Sequence, residues 1–323
     1  MLNYSIIIPH KNIPSLLRRC LESIPNCPDI EIIIVDDNSD EETIKCLKEI
    51  HRNNLRIIYT KEGKGAGYAR NIGVKNAHGK WILFADADDL FLPNLLEKID
   101  KYKDSTKALV FFNSICRNSS DLGKIGNRQW LCNLFSNNIE KFRLGKISTI
   151  NLILGLGVPW AKMIQLNFLL QKNITFDEVL FANDIGWITQ IALNVNEKDF
   201  IIANEQIYCV TDRDNSLFHT YTLESLLCRF NAAYKQHVTL KKNGIASSFD
   251  YIPYITWAQK LGITAALRFY KHVLQSVRHN CGIYKIETKY HFNKSYLYSL
   301  IQTIKIIISL PVSFFKQMRN SRL

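Results

Sequence analysis

Four short runs of β-branched and aromatic residues, Tyr4–Ile8, Ile30–Val35, Leu55–Tyr59 and Trp81–Ala85, punctuate the first hundred residues of this chain. Runs apolar at nearly every position suit strands covered on both faces, and strands alternating with amphipathic stretches mark βαβ units around a largely parallel sheet. Between the first two runs, Pro14 suits the first turn of a helix, and Leu16, Leu17, Cys20, Leu21 and Ile24 then share one face. The spacing predicts a helix from about Pro14 to Ile24. Asn38, Ser39 and Asp40 offer capping side chains ahead of a second amphipathic run carrying Ile44, Leu47 and Ile50. From about residue 106 the regularity drops, although a strand-like KALVFFNSI and a strand-helix sequence from Val158 to Val195 continue it.

At 323 residues, 47% hydrophobic and 22% charged, the chain is too apolar to be disordered and long enough for a large core. Its eight cysteines form no Cys-x-x-Cys pair, which argues against a zinc ribbon or disulfide framework and for reduced thiols in a cytoplasm. MLNYSIIIPH lacks the basic and long apolar regions of a signal peptide, so a cytoplasmic location is expected. The net charge of +12 is unevenly placed: residues 1–228 carry 26 Lys and Arg against 27 Asp and Glu, and residues 229–323 carry 15 against Asp250 and Glu287 alone. The expected organisation is residues 1–105 and 106–228 as two halves of one domain, then a mostly helical, basic region over 229–323.

Ligands of open α/β sheets gather beyond the carboxyl ends of the strands. Here those ends are polar: Pro9-His10-Lys11-Asn12, Asp36-Asp37-Asn38-Ser39 and Asp86-Ala87-Asp88-Asp89. Five carboxylates converging on one rim repel one another unless a cation or hydrogen-bond donors intervene. Any one of them could cap a helix, but capping does not call for three aspartates within four residues after a buried strand. The stretch Lys61–Asn71 is a glycine-containing loop, with Gly63, Gly65 and Gly67, that feeds a helix bearing Arg70. Amides at a helix N-terminus together with an arginine suit a diphosphate. No Walker A or Gly-x-Gly-x-x-Gly pattern is present, which disfavours P-loop ATPases and dinucleotide dehydrogenases. Trp160, Trp187 and Trp257 could stack on a sugar ring or fill the core, and His10 is a lone histidine near the rim.

The ordered set SIIIPHKN, IEIIIVDDNSDEET, KGAGYARNIGVKNAHGKWILFADADDLFLP and VPWAKMIQLNFLLQKNITFDEVLFANDIGW, covering most of residues 4 to 190, resembles the family 2 glycosyltransferases. The resemblance implies the GT-A fold, a Rossmann-like α/β architecture with a central, mostly parallel sheet flanked by helices. It also implies transfer from a nucleotide-diphosphate sugar to a saccharide hydroxyl with inversion, in bacterial surface polysaccharide or lipooligosaccharide synthesis. By that resemblance Pro9, Asp36 and Asp37 line the base pocket, while Gly65 and Arg70 lie by the diphosphate. Asp86 and Asp88 are the outer residues of an Asp-x-Asp motif for Mn²⁺ or Mg²⁺, with Asp88 the direct ligand. Asp184 corresponds to the catalytic base, although Asn183 replaces the Glu that many members carry before it. Arg213 and Ser216 resemble an Arg-x-x-Ser pattern that closes over the diphosphate. A sugar-nucleotide pyrophosphorylase is the alternative enzyme, disfavoured because PHKNIPS has no glycine. A catalytically inactive nucleotide-sugar-binding or membrane-scaffold protein is the alternative outside catalysis.

In the tail, Leu300, Ile301, Ile304, Ile307 and Ile308 recur at helical spacing, opposite Gln302, Thr303 and Lys305, and Lys316, Arg319 and Arg322 follow. Lys305, Gln302 and Pro311 disfavour a spanning helix and favour one lying on an anionic membrane, where it would hold the enzyme peripherally beside a lipid-linked acceptor. Packing on the catalytic domain or in a homo-oligomer is the competing use of that stripe. Nucleic acid ranks below both, since no recognition motif accompanies the charge.

Overall fold

The structure, a computed structural model, describes residues 2–213 and 220–279. Two compact units divide between Thr220 and Tyr221. In chain order the first contains β1 (Tyr4–His10), α1 (Pro14–Glu22), β2 (Ile30–Asp37), α2 (Glu41–Lys48), β3 (Leu55–Thr60), α3 (Ala66–Lys75), β4 (Trp81–Phe84) and β5 (Leu90–Phe91). It continues with α4 (Leu95–Asp100), β6 (Leu109–Asn118), α5 (Gln129–Arg143), α6 (Thr149–Gly155), β7 (Lys162–Gln165), α7 (Leu166–Gln171), α8 (Asp184–Asn194) and β8 (Phe200–Asp212).

The eight strands form one sheet in the order β3-β2-β1-β4-β7-β6-β8-β5. The βαβ half, β3 to β4, is parallel throughout. Beyond it the sheet turns mixed: β7 runs antiparallel to both β4 and β6, β6 and β8 are parallel, and β5 is antiparallel to β8. The architecture is the α/β GT-A fold with a central mixed sheet flanked by helices. β1, β2 and β4 are buried almost without interruption, as their apolar runs require. β3 is the exception: it forms the sheet edge, and part of it is exposed.

Local chemistry places the helices. Pro14 opens α1, whose Leu17, Cys20 and Leu21 face the core, and α1 stops at Glu22, short of Ile24. Asp40 caps α2 by accepting from the Thr43 amide at 2.8 Å. One hydrophobic core joins the whole sheet, from Tyr4 and Ile6 to Trp187 and Val210. Each large side chain withdrawn from water in it contributes roughly 1.5–3 kcal/mol before conformational entropy is charged. Trp160 and Trp187 belong to that core and are 4% and 0% exposed, so neither presents a ring to a sugar. Trp160 stacks on Tyr208, and Trp187 stacks on Phe176.

The second unit contains α9 (Leu223–Lys242), α10 (Ile252–Lys260) and α11 (Ile263–His279) around a core of its own. Its hub is Phe230, ringed by Tyr234, Phe249, Tyr254 and Phe269. Trp257 packs against that core and meets Tyr221 edge to face. Thr222 and Ser225 form a capping box, so α9 begins well before Cys228. The units therefore divide at Thr220/Tyr221 rather than after Cys228, where the charge changes. No helix among the described residues is long and apolar enough to cross a membrane. None of the described cysteines is in a disulfide. The stripe at 297–308, the basic residues after it and Ser216 lie outside the described residues.

Candidate functional site

The carboxyl ends of β1, β2 and β4 meet at one rim, as their register requires: Pro9 pairs with Val35 and His10 with Asp36. Pro9, His10, Asp36 and Asp37 are all buried there. Asp36 has partners on both oxygens, Ser39 Oγ at 2.6 Å and the Ser39 amide at 3.0 Å, with His10 Nδ1 at 2.8 Å. His10 Nε2 accepts from the Ile13 amide, so Nδ1 carries the proton and donates it to Asp36. Burial raises the Asp36 pKa, but the hydrogen bonds from His10 and Ser39 outweigh it and the net shift is downward.

Asp37 reaches the glycine loop instead. It accepts from the Gly65 amide at 2.7 Å and the Lys64 amide at 3.1 Å, so the loop hangs from the end of β2. Gly65 has φ +92° and caps α3, and a Cβ there would press on the Val179 carbonyl at 3.2 Å. Two residues further, a Cβ on Gly67 would lie 2.2 Å from the Asp177 carbonyl oxygen and 2.9 Å from Asn183 Cβ. Glycines thus let α3 close onto the segment that leads into α8. That segment is itself tightly turned, with the Asp177 amide on the Asn183 carbonyl and Ala182 at φ +56°.

Arg70 projects from α3 into this junction and is buried. Nη2 donates to Asp86 Oδ1 at 2.6 Å and Nη1 to Asn183 Oδ1 at 3.0 Å, with the guanidinium over the Phe176 ring. Its Nε is buried without a hydrogen-bond partner among the described residues. Asn183 spends its side chain on Arg70 and leaves the head of α8 without a side-chain cap. Asp184 is the first residue of α8, where the helix dipole favours a carboxylate. Burial raises the Asp184 pKa and Asp86 adds to that, against Arg70 and Lys162, and the net shift is upward.

The acidic turn after β4 is held from several sides. Arg213 Nε donates to Asp88 Oδ2 at 2.7 Å, and the Asp88 carbonyl accepts from Arg19 and Thr211. Asp89 is buried and accepts from Tyr208 Oη at 2.9 Å and the Thr211 amide at 2.7 Å. Tyr208 Oη also accepts from the Asp86 amide. Burial, with Asp88 and Asp86 nearby, pushes Asp89 well above the usual carboxylate range. Two guanidiniums and a protonation-prone Asp89 therefore relieve the repulsion expected among these carboxylates.

Oδ2 of Asp86 and Oδ1 of Asp88 make no hydrogen bond among the described residues. Hard carboxylate oxygens of this kind suit Mg²⁺ or Mn²⁺ when diphosphate oxygens and water complete the shell. Among the described residues no three His, Cys, Asp or Glu converge to hold a metal unaided. The residues fit a shared site and not an all-protein cage.

Pro9, Asp36, Asp37, Gly65, Arg70, Asp86, Asp88 and Asp184 are thus gathered at the ends of neighbouring strands and the helices they feed. Reading from sequence missed Tyr208, Arg19 and Lys162. Tyr208 and Arg19 carry no local signal, since one reads as a strand residue and the other as a helix surface. Lys162 lies within VPWAKMIQ, where nothing in the pattern marks a lysine as buried.

A parallel half-sheet ending in an acidic rim, a glycine-gated arginine and a carboxylate heading a helix give the chain the layout of the GT-A class. The comparisons agree. The model named "Glycosyl transferase family 2" matches residues 5–157. An uncharacterized glycosyltransferase of Methanocaldococcus jannaschii, MJ1057, is 30% identical over 239 residues, 68% of this chain and 78% of that protein. Glycosyltransferase GlyA of Streptococcus pneumoniae serotype 4 is 25% identical over 74% of this chain, which spans only 34% of that longer protein. Among solved structures, residues 1–349 of Staphylococcus aureus TarS superpose with a TM-score of 0.56 at 17% identity, over 94% of this chain and 80% of that one. Its complex with UDP-GlcNAc superposes at 0.55 and 19% identity, over 82% of each chain. The chain belongs to the family 2 glycosyltransferases.

Proposed function

We propose that this enzyme transfers one sugar from a nucleotide-diphosphate sugar to a carbohydrate hydroxyl with inversion, in the assembly of a bacterial surface polysaccharide or lipooligosaccharide. The observation that carries this is the pair of hydrogen bonds that Arg70 donates to Asp86 and Asn183, because it joins the donor rim to the residue preceding the base. Pro9 and Asp37 flank the place for the nucleoside, and Arg70 faces the diphosphate as a charge-matched donor. Asp88 and Asp86 would hold a divalent ion, which would supply positive charge beside the departing diphosphate. Asp184 accepts the hydroxyl proton as the acceptor oxygen bonds to the anomeric carbon and the bond from that carbon to the diphosphate breaks. One displacement inverts configuration. Burial suits Asp184 to the work, since a raised carboxyl pKa moves it toward the operating pH of a general base.

UDP-GlcNAc, bound by the TarS neighbour, is the first donor to try. Chondroitin synthase of Escherichia coli, 35% identical over 33% of this chain, supports a polysaccharide setting. The test is transfer from a panel of nucleotide sugars to saccharide acceptors, with the product anomer read by NMR. Asp184→Asn should lower turnover about 100- to 10,000-fold with donor affinity nearly intact. Product of retained configuration, or parental turnover by that variant, refutes the reading.

A further inference from the structure

Helix α1 touches the stretch from Asp86 to Phe91 at three points. Cys20 Sγ donates to the Asp86 carbonyl at 3.8 Å, Arg19 Nη2 donates to the Asp88 carbonyl at 3.0 Å, and Ser23 Oγ accepts from the Phe91 amide at 2.9 Å. Arg19 also reaches past the acidic turn. Nη1 donates to the Ser119 carbonyl at 2.6 Å, and Nη2 donates to Ser119 Oγ at 3.0 Å and Thr211 Oγ1 at 3.1 Å. Ser119 follows directly on β6, and its amide ends on the Asp212 carbonyl at 2.9 Å. One half-buried guanidinium thus joins the acidic turn, the connection leaving β6 and the end of β8.

None of these partners is a carboxylate, although the turn holds three aspartates. An arginine fork is suited to gripping a carboxylate by both oxygens. Such a grip on Asp88 would fill the oxygens that face a ligand. A grip on its carbonyl fixes where the residue stands and leaves the carboxylate to Arg213 on one oxygen alone. The peptide unit is planar, so holding the Asp88 carbonyl also holds the Asp89 amide, which donates to the Asp86 carbonyl at 3.0 Å. The other donor to the Asp88 carbonyl, Thr211 Oγ1, comes from β8. Without Arg19 the connection after β6 would meet the turn only through β8.

We propose that Arg19 is a positioning residue for Asp88, clamping the Asp88–Asp89 peptide to the connection after β6 so that turn and connection keep one geometry during transfer. The inference rests on the sugar-transfer reading above.

The test compares Arg19→Met and Arg19→Gln with the parent by native-state amide exchange and by sugar transfer, well below the melting temperature. Arg18→Met is the control, because Arg18 reaches the Cys46 carbonyl and Glu49 instead and its loss should change neither readout. Ile7 and Ile33, buried and paired in the sheet, report global opening. In Arg19→Met the Asp89 and Ser119 amides should exchange about tenfold faster relative to those two, and kcat should fall about 100-fold, as for a misplacement of about 1 Å. Gln is too short to bridge the two carbonyls and should behave as Met does, so either variant decides the matter if the other fails to fold. An arginine that only stabilised the fold would speed all four amides together and leave kcat of the folded enzyme unchanged. That outcome in a folded Arg19 variant, or parental exchange at Asp89 and Ser119, overturns the proposal. A parent that transfers no sugar overturns the transfer reading and this proposal together. A parent that transfers sugar beside an Arg19→Met enzyme of equal kcat overturns this proposal alone.

Discussion

Gly67→Ala tests the closure of α3 onto the head of α8. The added methyl would stand 2.2 Å from the Asp177 carbonyl oxygen and 2.9 Å from Asn183 Cβ, where ordinary contact begins near 3.4 Å. The backbone oxygen cannot rotate away as a side chain could, so the 177–183 segment must retreat by roughly 1 Å, an overpacking that costs about 1–3 kcal/mol. Alanine returns up to about 1 kcal/mol of helix propensity. The net loss is then up to about 3 kcal/mol, which lowers the Tm of a unit this size by up to about 12 °C. Activity should suffer more than stability, because the displaced segment carries Asn183 and Asp184, and a 1 Å misplacement can cost about 100-fold in turnover. Thermal melts and sugar-transfer rates measure the two effects. Gly145→Ala is the control: φ is +66°, nothing lies within 4 Å, and the cost should be backbone strain without loss of turnover. A Gly67→Ala enzyme with the parental melting point and rate would show that the close approach is not rigid and that the argument from Arg70 to Asp184 is unsound.

Asp36 predicts a pH effect. Its pKa is lowered in the folded chain, so its stabilisation is complete above the unfolded value of about 3.9 and is lost as pH falls through the folded one. His10→Ala should therefore destabilise at neutral pH, with the gap to the parent narrowing below about pH 4 in urea titrations. A gap constant across that range would contradict the pairing. Donor binding and turnover should require Mn²⁺ or Mg²⁺, and Asp88→Ala should abolish both. Calorimetry with donor, with and without chelator, decides this, and full activity in excess chelator removes the metal role. For the tail, vesicle co-sedimentation of the full chain and of a truncation after Asn293 should show salt-weakened binding to anionic lipid in the full chain alone. Equal binding by both returns the segment to packing or dimerisation.

The βαβ half was legible because its signals are local. A run such as IEIIIVDD is unbroken and apolar from Ile32 to Val35 and turns acidic at its carboxyl end, where Asp36 and Asp37 are still buried. β3 escaped that logic, since edge position is a property of the sheet order and not of LRIIYT itself. The mixed half was less legible for a related reason. β5 has only two residues, and β8 pairs with β6 through two register shifts, neither of which leaves a period in the sequence. Aspartates could be assembled into a site because they cluster in the chain. Tyr208 and Arg19 could not, since each meets the acidic turn only through a contact distant in sequence.

The brace on the acidic turn carries a consequence for exchange with solvent. Asp89 accepts from both Tyr208 and Thr211, Leu90 and Phe91 pair with Cys209 and Tyr208, and the Asp86 amide ends on the Tyr208 hydroxyl. A surface turn with so many aspartates would ordinarily open by itself and lose its amide protons early. Here it cannot open without parting β8 from its neighbours, so the acidic corner belongs to the same cooperative opening unit as the far side of the sheet. Deuterium should enter the Asp86 and Leu92 amides, which end on the Tyr208 hydroxyl and the Ile207 carbonyl, on the timescale of β8, so residues remote from the acidic rim set how long that rim keeps its shape.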